Sequence, residues 1–159
     1  MSQKPVTEAK TQVSRVVKAP RETVYRAFVE PDAVAAWLPP EGMKGIVHAF
    51  NPVEGGAFRM SLVYGEAAKS RAGKTTESTD SFHGRFVKLV PNETIVEVFQ
   101  FESAAGGLHG EMKITVTLAD ASGGTAVTVL HEGIPEGLPV EDNEKGWKSS
   151  LQKLAALVE

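Results

Sequence analysis

Residues 142–158 read DNEKGWKSSLQKLAALV, and the architecture turns on them. Trp147, Leu151, Leu154 and Val158 recur at helical spacing, so one face of a helix from about Asp142 to Val158 is apolar. At ~1.5 Å per residue it spans roughly 25 Å. Some five antiparallel strands spaced ~4.8 Å apart cover about the same distance. The helix can therefore lie across a whole sheet, and the residues before it supply one.

Working back from that helix, Met112, Ile114, Val116 and Leu118 alternate with polar neighbours, and Ser122-Gly123-Gly124 turns the chain into a strand over Thr125–His131. Phe82–Val90 and Thr94–Phe101 are two more strands, joined at Pro91-Asn92. Phe58, Met60, Leu62 and Tyr64 alternate with Arg59, Ser61 and Val63, and Ile46–Phe50 forms the strand before them. Gly65 to Ser81 is small and polar, the composition of a mobile hairpin loop. Val13, Arg15 and Val17 begin the sheet, after a polar tail ending near Thr11. Between this first strand and the rest, Ala19-Pro20-Arg21-Glu22 opens a helix carrying Val24, Ala27 and Phe28, which Pro31 ends. A second short helix covers Asp32–Trp37 and stops at Pro39-Pro40. Short turns favour antiparallel pairing.

The order is strand, two helices, six strands and a long helix. It predicts an α+β fold: a curved antiparallel sheet of six to seven strands wrapped around the C-terminal helix, with residues 12–159 forming one domain. Packing any other way leaves Trp147 and Leu151 exposed. A sheet this wide must curl. Curling lifts its middle off the helix, and small side chains there would leave a central space. A concave apolar space with few polar groups is the ordinary form of a ligand site.

Composition narrows the function. The chain has 159 residues, 42% hydrophobic and 23% charged, with net charge −3. Its basic residues are scattered, without the footprint of a nucleic-acid binder. It has no cysteine, hence no disulfide or thiolate site. No apolar run reaches the ~20 residues of a membrane helix, and the polar start lacks a signal core, so a cytoplasmic location is expected.

Candidate chemistry is sparse. Ala68–Thr75 fits a loosened phosphate-loop pattern, but no helix follows it, so a solvated loop is expected. His48, His83, His109 and His131 fall on separate strands without paired spacing, so no metal site and no cofactor are expected. His83 and Arg85 are read as surface residues. In phase with Val127 and Val129, His131 faces inward. It is either a neutral core histidine or a candidate general acid or base. Tyr64 can orient a polar head group. A ligand wall is expected from Phe28, Trp37, Phe58, Met60, Tyr64, Phe99, Met112, His131, Trp147 and Leu151.

A set of weak signals in fixed order adds to this reading: Ala19-Pro20 with Val24-Tyr25 and Phe28, then Trp37 before Pro39-Pro40. Gly55-Gly56 with Phe58 follows, then Gly84 near Pro91, Gly124-Thr125 to His131-Glu132-Gly133, and Gly146–Leu151 with Leu154. From Val13 to Val158 the chain resembles the helix-grip fold of the START and SRPBCC superfamily, in the branch similar to the C-terminal domain of the activator of heat-shock protein 90 ATPase. The resemblance implies a cavity for a small hydrophobic molecule, lipid-like or polyketide-like. Its alternatives are a cyclase, dehydratase or hydrolase using His131, and a co-chaperone-like interaction module with a chaperone partner. A symmetric homodimer is allowed for, as the commonest oligomer.

Overall fold

The computed structural model describes residues 9–39, 42–64, 79–102, 110–135 and 139–159, and not the side chains of Tyr64 and Thr79. Seven strands and three helices follow in the order β1 (Lys10–Val17), α1 (Arg21–Val29), α2 (Pro31–Trp37), β2 (Met43–Phe50), β3 (Ala57–Tyr64), β4 (Thr79–Val90), β5 (Thr94–Phe101), β6 (Met112–Ala121), β7 (Gly124–Glu132) and α3 (Val140–Val158). All pair antiparallel in one sheet, β1-β7-β6-β5-β4-β3-β2. The curled sheet wraps α3, as the helical spacing of Trp147 and Leu151 requires.

Several boundaries move outward from the alternation. Lys10 and Thr11 are not tail: they pair with Glu132 and His131. Thr79, Asp80 and Ser81 are not loop but the start of β4, paired with Val63, Leu62 and Ser61. β2 begins at Met43 and α3 at Val140. At Lys10–Thr11 and Thr79–Ser81 polar residues hold the pairing, where apolar periodicity gives no signal. The remainder of the expected loop, 65–78, with the phosphate-loop-like residues 68–75, lies outside the described residues, as do residues 1–8, Pro40 and His109.

Two helical contacts set the cradle. Trp37 donates its indole N–H to the Ala27 carbonyl at 2.8 Å and packs edge-on to Phe28, ring centres 4.7 Å apart. That locks α1 to α2. α2 in turn rests on β2 at Gly45, where an added Cβ would lie 2.8 Å from Pro39 Cγ and 3.0 Å from the Ala35 carbonyl oxygen. The backbone of α3 packs against β1, α2 and α1, whereas central strands β4 and β5 stand farther off.

Side chains bridge that distance, and they are not small. Phe58 and Phe86 pack with ring centres 5.2 Å apart, Phe50 and Phe86 at 5.4 Å, and Phe82 and Phe99 at 5.4 Å. A wide gap beneath a curled sheet is filled with less loss of order by a few large rings than by many short chains. The expectation of a centre lined by small residues is therefore corrected.

The Gly45 contact yields a test. Gly45→Ala should cost about 1–3 kcal/mol by prying α2 from β2, the usual range for overpacking. Denaturant unfolding checks it; an unchanged midpoint would show that α2 does not rest on the β2 backbone.

Candidate functional site

Along the strands the core changes character. At the end under α1, Val17, Val24, Phe86, Ile95, Val127 and Leu154 are completely shielded from solvent. Toward the opposite end, where β4 begins and β5 ends, Phe82, Phe99 and Trp147 each retain 8% of their surface, and Phe101 is only half-buried. The concave face is sealed at one end, and at the other a few partly exposed rings stand beside Met60, Asp80 and Met112, each 1% exposed.

Antiparallel register identifies what faces this half and the boundary between the two. Residues paired across strands share a face. One row on the inner face runs Gly84, Phe99, Met112; the next runs Phe86, Glu97, Ile114, His131, Thr11. A glutamate thus stands in the middle of an apolar sheet. Ile95 and Phe99, two residues to either side of it on β5, are both buried, which fixes the direction of its side chain. Glu97 keeps part of its surface accessible and makes no hydrogen bond or ion pair among the described residues. Desolvation pushes its carboxyl from 4.5 up to about 7.

His131 is the second polar group of the row, as its phase with Val129 requires, and it is 3% exposed. Trp147 of α3 donates its indole N–H to His131 Nδ1 at 3.0 Å, so the ring proton resides on Nε2, which lies 3.2 Å from Met112 Sδ. Burial pulls the imidazole from 6.5 down to about 4. Both nitrogens are engaged, so no free lone pair meets an incoming molecule. The ring is a neutral bridge between helix and sheet. Phe99 packs against it with ring centres 5.6 Å apart. The neighbouring Thr11 hydroxyl is buried without a partner among the described residues.

The structure thus brings Phe99, Met112, His131 and Trp147 together, four of the residues expected to form a wall. Met60 pairs with Phe82 at the margin of that group. Phe58 joins the Phe50–Phe86 cluster, and Phe28 and Trp37 belong to the α1–α2 contact. Leu151 is buried on α3 and also borders an open groove of about 390 Å³ between α3 and β1, outside the concave face. Tyr64 ends β3, its backbone paired with Met43, and its side chain is outside the described set.

The group that sequence reasoning missed is Glu97. Its signal was present: Ile95, Glu97, Phe99 and Phe101 form one period-two series, with the acid at an apolar position. Asp80 is similar, in register with Leu62 on the inner face, 1% exposed and already bonded. His48 and His83 lie elsewhere. His48 hydrogen-bonds Ser61 Oγ at 2.8 Å, and Ser61 bonds Ser81 at 2.8 Å, under the β2 bulge. His83, half exposed, lies 3.3 Å from Glu102, which also takes a bidentate contact from Arg59. Among the described residues no group of three metal-ligating side chains converges, and no helix is long and apolar enough to cross a membrane.

With this geometry in place, comparison with known proteins gives a consistent result. The family model described as "Activator of Hsp90 ATPase homolog 1-like protein" matches residues 18–159. A solved protein from Chromobacterium violaceum is 40% identical over 94% of this chain and 96% of its own, with a TM-score of 0.85. An AHSA1-like protein from Aeromonas hydrophila shares the fold at 18% identity and a TM-score of 0.69, covering 94% of this chain and 92% of its own. DynU16, a protein in the dynemicin biosynthetic locus, aligns with 94% of this chain and 47% of its own at 21% identity and a TM-score of 0.65. No curated protein matches the sequence.

Glu97 and His131 make opposite demands on pH. Raising the Glu97 carboxyl from 4.5 to about 7 means that its unfolded form ionises first, so stability falls as pH rises through that window. Depressing His131 from 6.5 to about 4 means that stability falls as pH drops through its own window. Glu97→Gln should therefore gain on the wild type between pH 4.5 and about 7, by at most roughly 3 kcal/mol at ~1.36 kcal/mol per pKa unit. Chemical denaturation of both proteins across that range reads the difference. A pH-independent difference would place the Glu97 carboxyl in bulk water.

Proposed function

The chain belongs to the family of activator of Hsp90 ATPase homolog 1-like proteins, and from that premise we propose that it binds a small, mainly apolar molecule between the inner face of the sheet and the first half of α3. The fold is of the ligand-binding START type. The observation that carries the reading is Glu97, a partly buried acid without a partner among the described residues, on an inner face made mainly of Phe, Met, Ile and Val. A core evolved only for packing gains nothing from such a group, since a desolvated polar atom without a partner costs free energy. A site for a guest needs a few polar atoms among apolar walls to orient it.

Phe99, Phe101, Met112 and Trp147 supply those walls. Phe101 packs edge-on to Phe82 and Phe99, with ring centres 6.4 and 6.3 Å apart. Methionine adapts to irregular shapes, and aromatic edges and faces accept flat or chain-like guests. His131 holds the Trp147 ring in place and leaves the wall uncharged, so it acts as a positioning residue.

Native mass spectrometry of freshly purified protein tests the reading, with a thermal-shift panel of fatty acids, lipophilic amines and aromatic polyketide-like compounds. A retained small molecule is expected, or a compound that at about a hundred times its Kd adds ~2.7 kcal/mol of stability. For a domain of this length that is roughly 5–10 °C in Tm. Absence of both a retained mass and any Tm rise would overturn the proposal.

A further inference from the structure

Glu97 also constrains what the guest must be. We infer that the molecule bound on the inner face carries a protonated amine beside its apolar body, and that the Glu97 carboxylate receives that amine. The inference rests on the cavity reading above and adds its chemical class.

Around Glu97 the charge on the described inner face is one-sided: the inner-row arginine, Arg15 on β1 opposite Val127, lies three strands away. Among the described residues no lysine or arginine projects from the inner rows of β3 to β7. Around Glu97 the sheet presents Phe86 on β4, Ile114 on β6, and beyond it His131 on β7, which is neutral. Asp80 is the other inner acid. It stands six residues before Phe86 along β4, ~20 Å away at ~3.4 Å per residue, and it is already bonded. Among the described residues, therefore, Glu97 has no counter-charge.

A carboxylate placed there alone is unfavourable, which is why desolvation raises its proton affinity. An ammonium arriving with the guest reverses this, since ion pairing and a charge-assisted hydrogen bond both favour the ionised acid. Phe99 flanks Glu97 on its own strand, and electron-rich ring faces attract a cation within ~6 Å. A neutral alcohol can hydrogen-bond the same group, but without the charge term. An anionic guest would place like charge beside Glu97 with no described basic side chain near it to offset that charge. Acid plus aromatic surroundings without a base is a cation-receiving arrangement.

Three probes sharing one apolar body separate the cases: naphthylmethylamine, naphthylmethanol and naphthoic acid, titrated at neutral pH and followed by tryptophan fluorescence. The amine should bind at least about tenfold more tightly than the alcohol, and the acid most weakly. Glu97→Gln should abolish the amine's advantage while leaving the alcohol's affinity within about twofold, the charge term being all it removes. A second readout needs no variant. In the wild type at slightly acidic pH, the Glu97 carboxyl carbon resonance should move to its ionised position on adding the amine and stay unmoved on adding the alcohol. If alcohol and amine bind equally, or Glu97→Gln leaves the amine's affinity intact, the amine inference falls and the cavity survives. If none of the three binds, both fall together.

Discussion

A hydrogen bond 3.0 Å long, from the Trp147 indole to His131 Nδ1, joins the helix to the concave sheet across the space that their different curvatures create. A straight helix and a curled sheet touch closely only along a line. Here the line runs along β1 and the short helices, where Ser150 Oγ donates to the Leu38 carbonyl and Lys153 Nζ to the Pro39 carbonyl at 2.7 Å. Away from it, something long must reach across. Trp147 does so and finds in His131 an acceptor that needs no charge. The bond fixes how far the helix stands off, and so the size of whatever lies beneath.

The sealed end follows from the same geometry. There α1 lies over β6 and β7, held by Trp37 against Phe28 and by the Thr125 hydroxyl donating to the Ala19 carbonyl at 2.7 Å. Three helices close one half of the cradle, and residues below them lose all contact with water. Toward the other end, among the described residues, α3 is the helix that covers the sheet, with Ile134 packed against Phe101 beside it. One helix is about 10 Å wide, too narrow to seal several strands, so residual exposure collects at Phe82, Phe99, Phe101 and Glu97. The open half results from distributing too few helices over too wide a sheet.

The alternation of Phe58, Met60 and Leu62, and of Met112 to Leu118, made the sheet legible because a half-buried strand writes its two faces as period two. The helix was equally plain from Trp147, Leu151 and Leu154. Strand ends were obscure: Lys10–Thr11 and Thr79–Ser81 pair through backbone atoms, which leave no mark on side-chain pattern. His131 could be placed on the inner face, but its partners could not. An indole from 16 residues away is a tertiary fact. Glu97 was overlooked because an acid within an apolar series reads as an interruption. Burial alone shows that it continues the inner face.

Glu97 and His131 together keep this interior electrically quiet. The imidazole is neutral above about pH 4 and the carboxyl below about pH 7, so between these values neither carries charge. Both shifts have one cause, desolvation, acting oppositely on an acid and on a base. The two differ in what they can still do. His131 has spent both nitrogens on Trp147 and Met112 and can charge only by losing the bond that holds the helix. Glu97 has no such partner among the described residues. Its ionisation disturbs no contact there, so of Glu97 and His131 the glutamate is the one that the proposed guest would engage, and the histidine is committed to the fold.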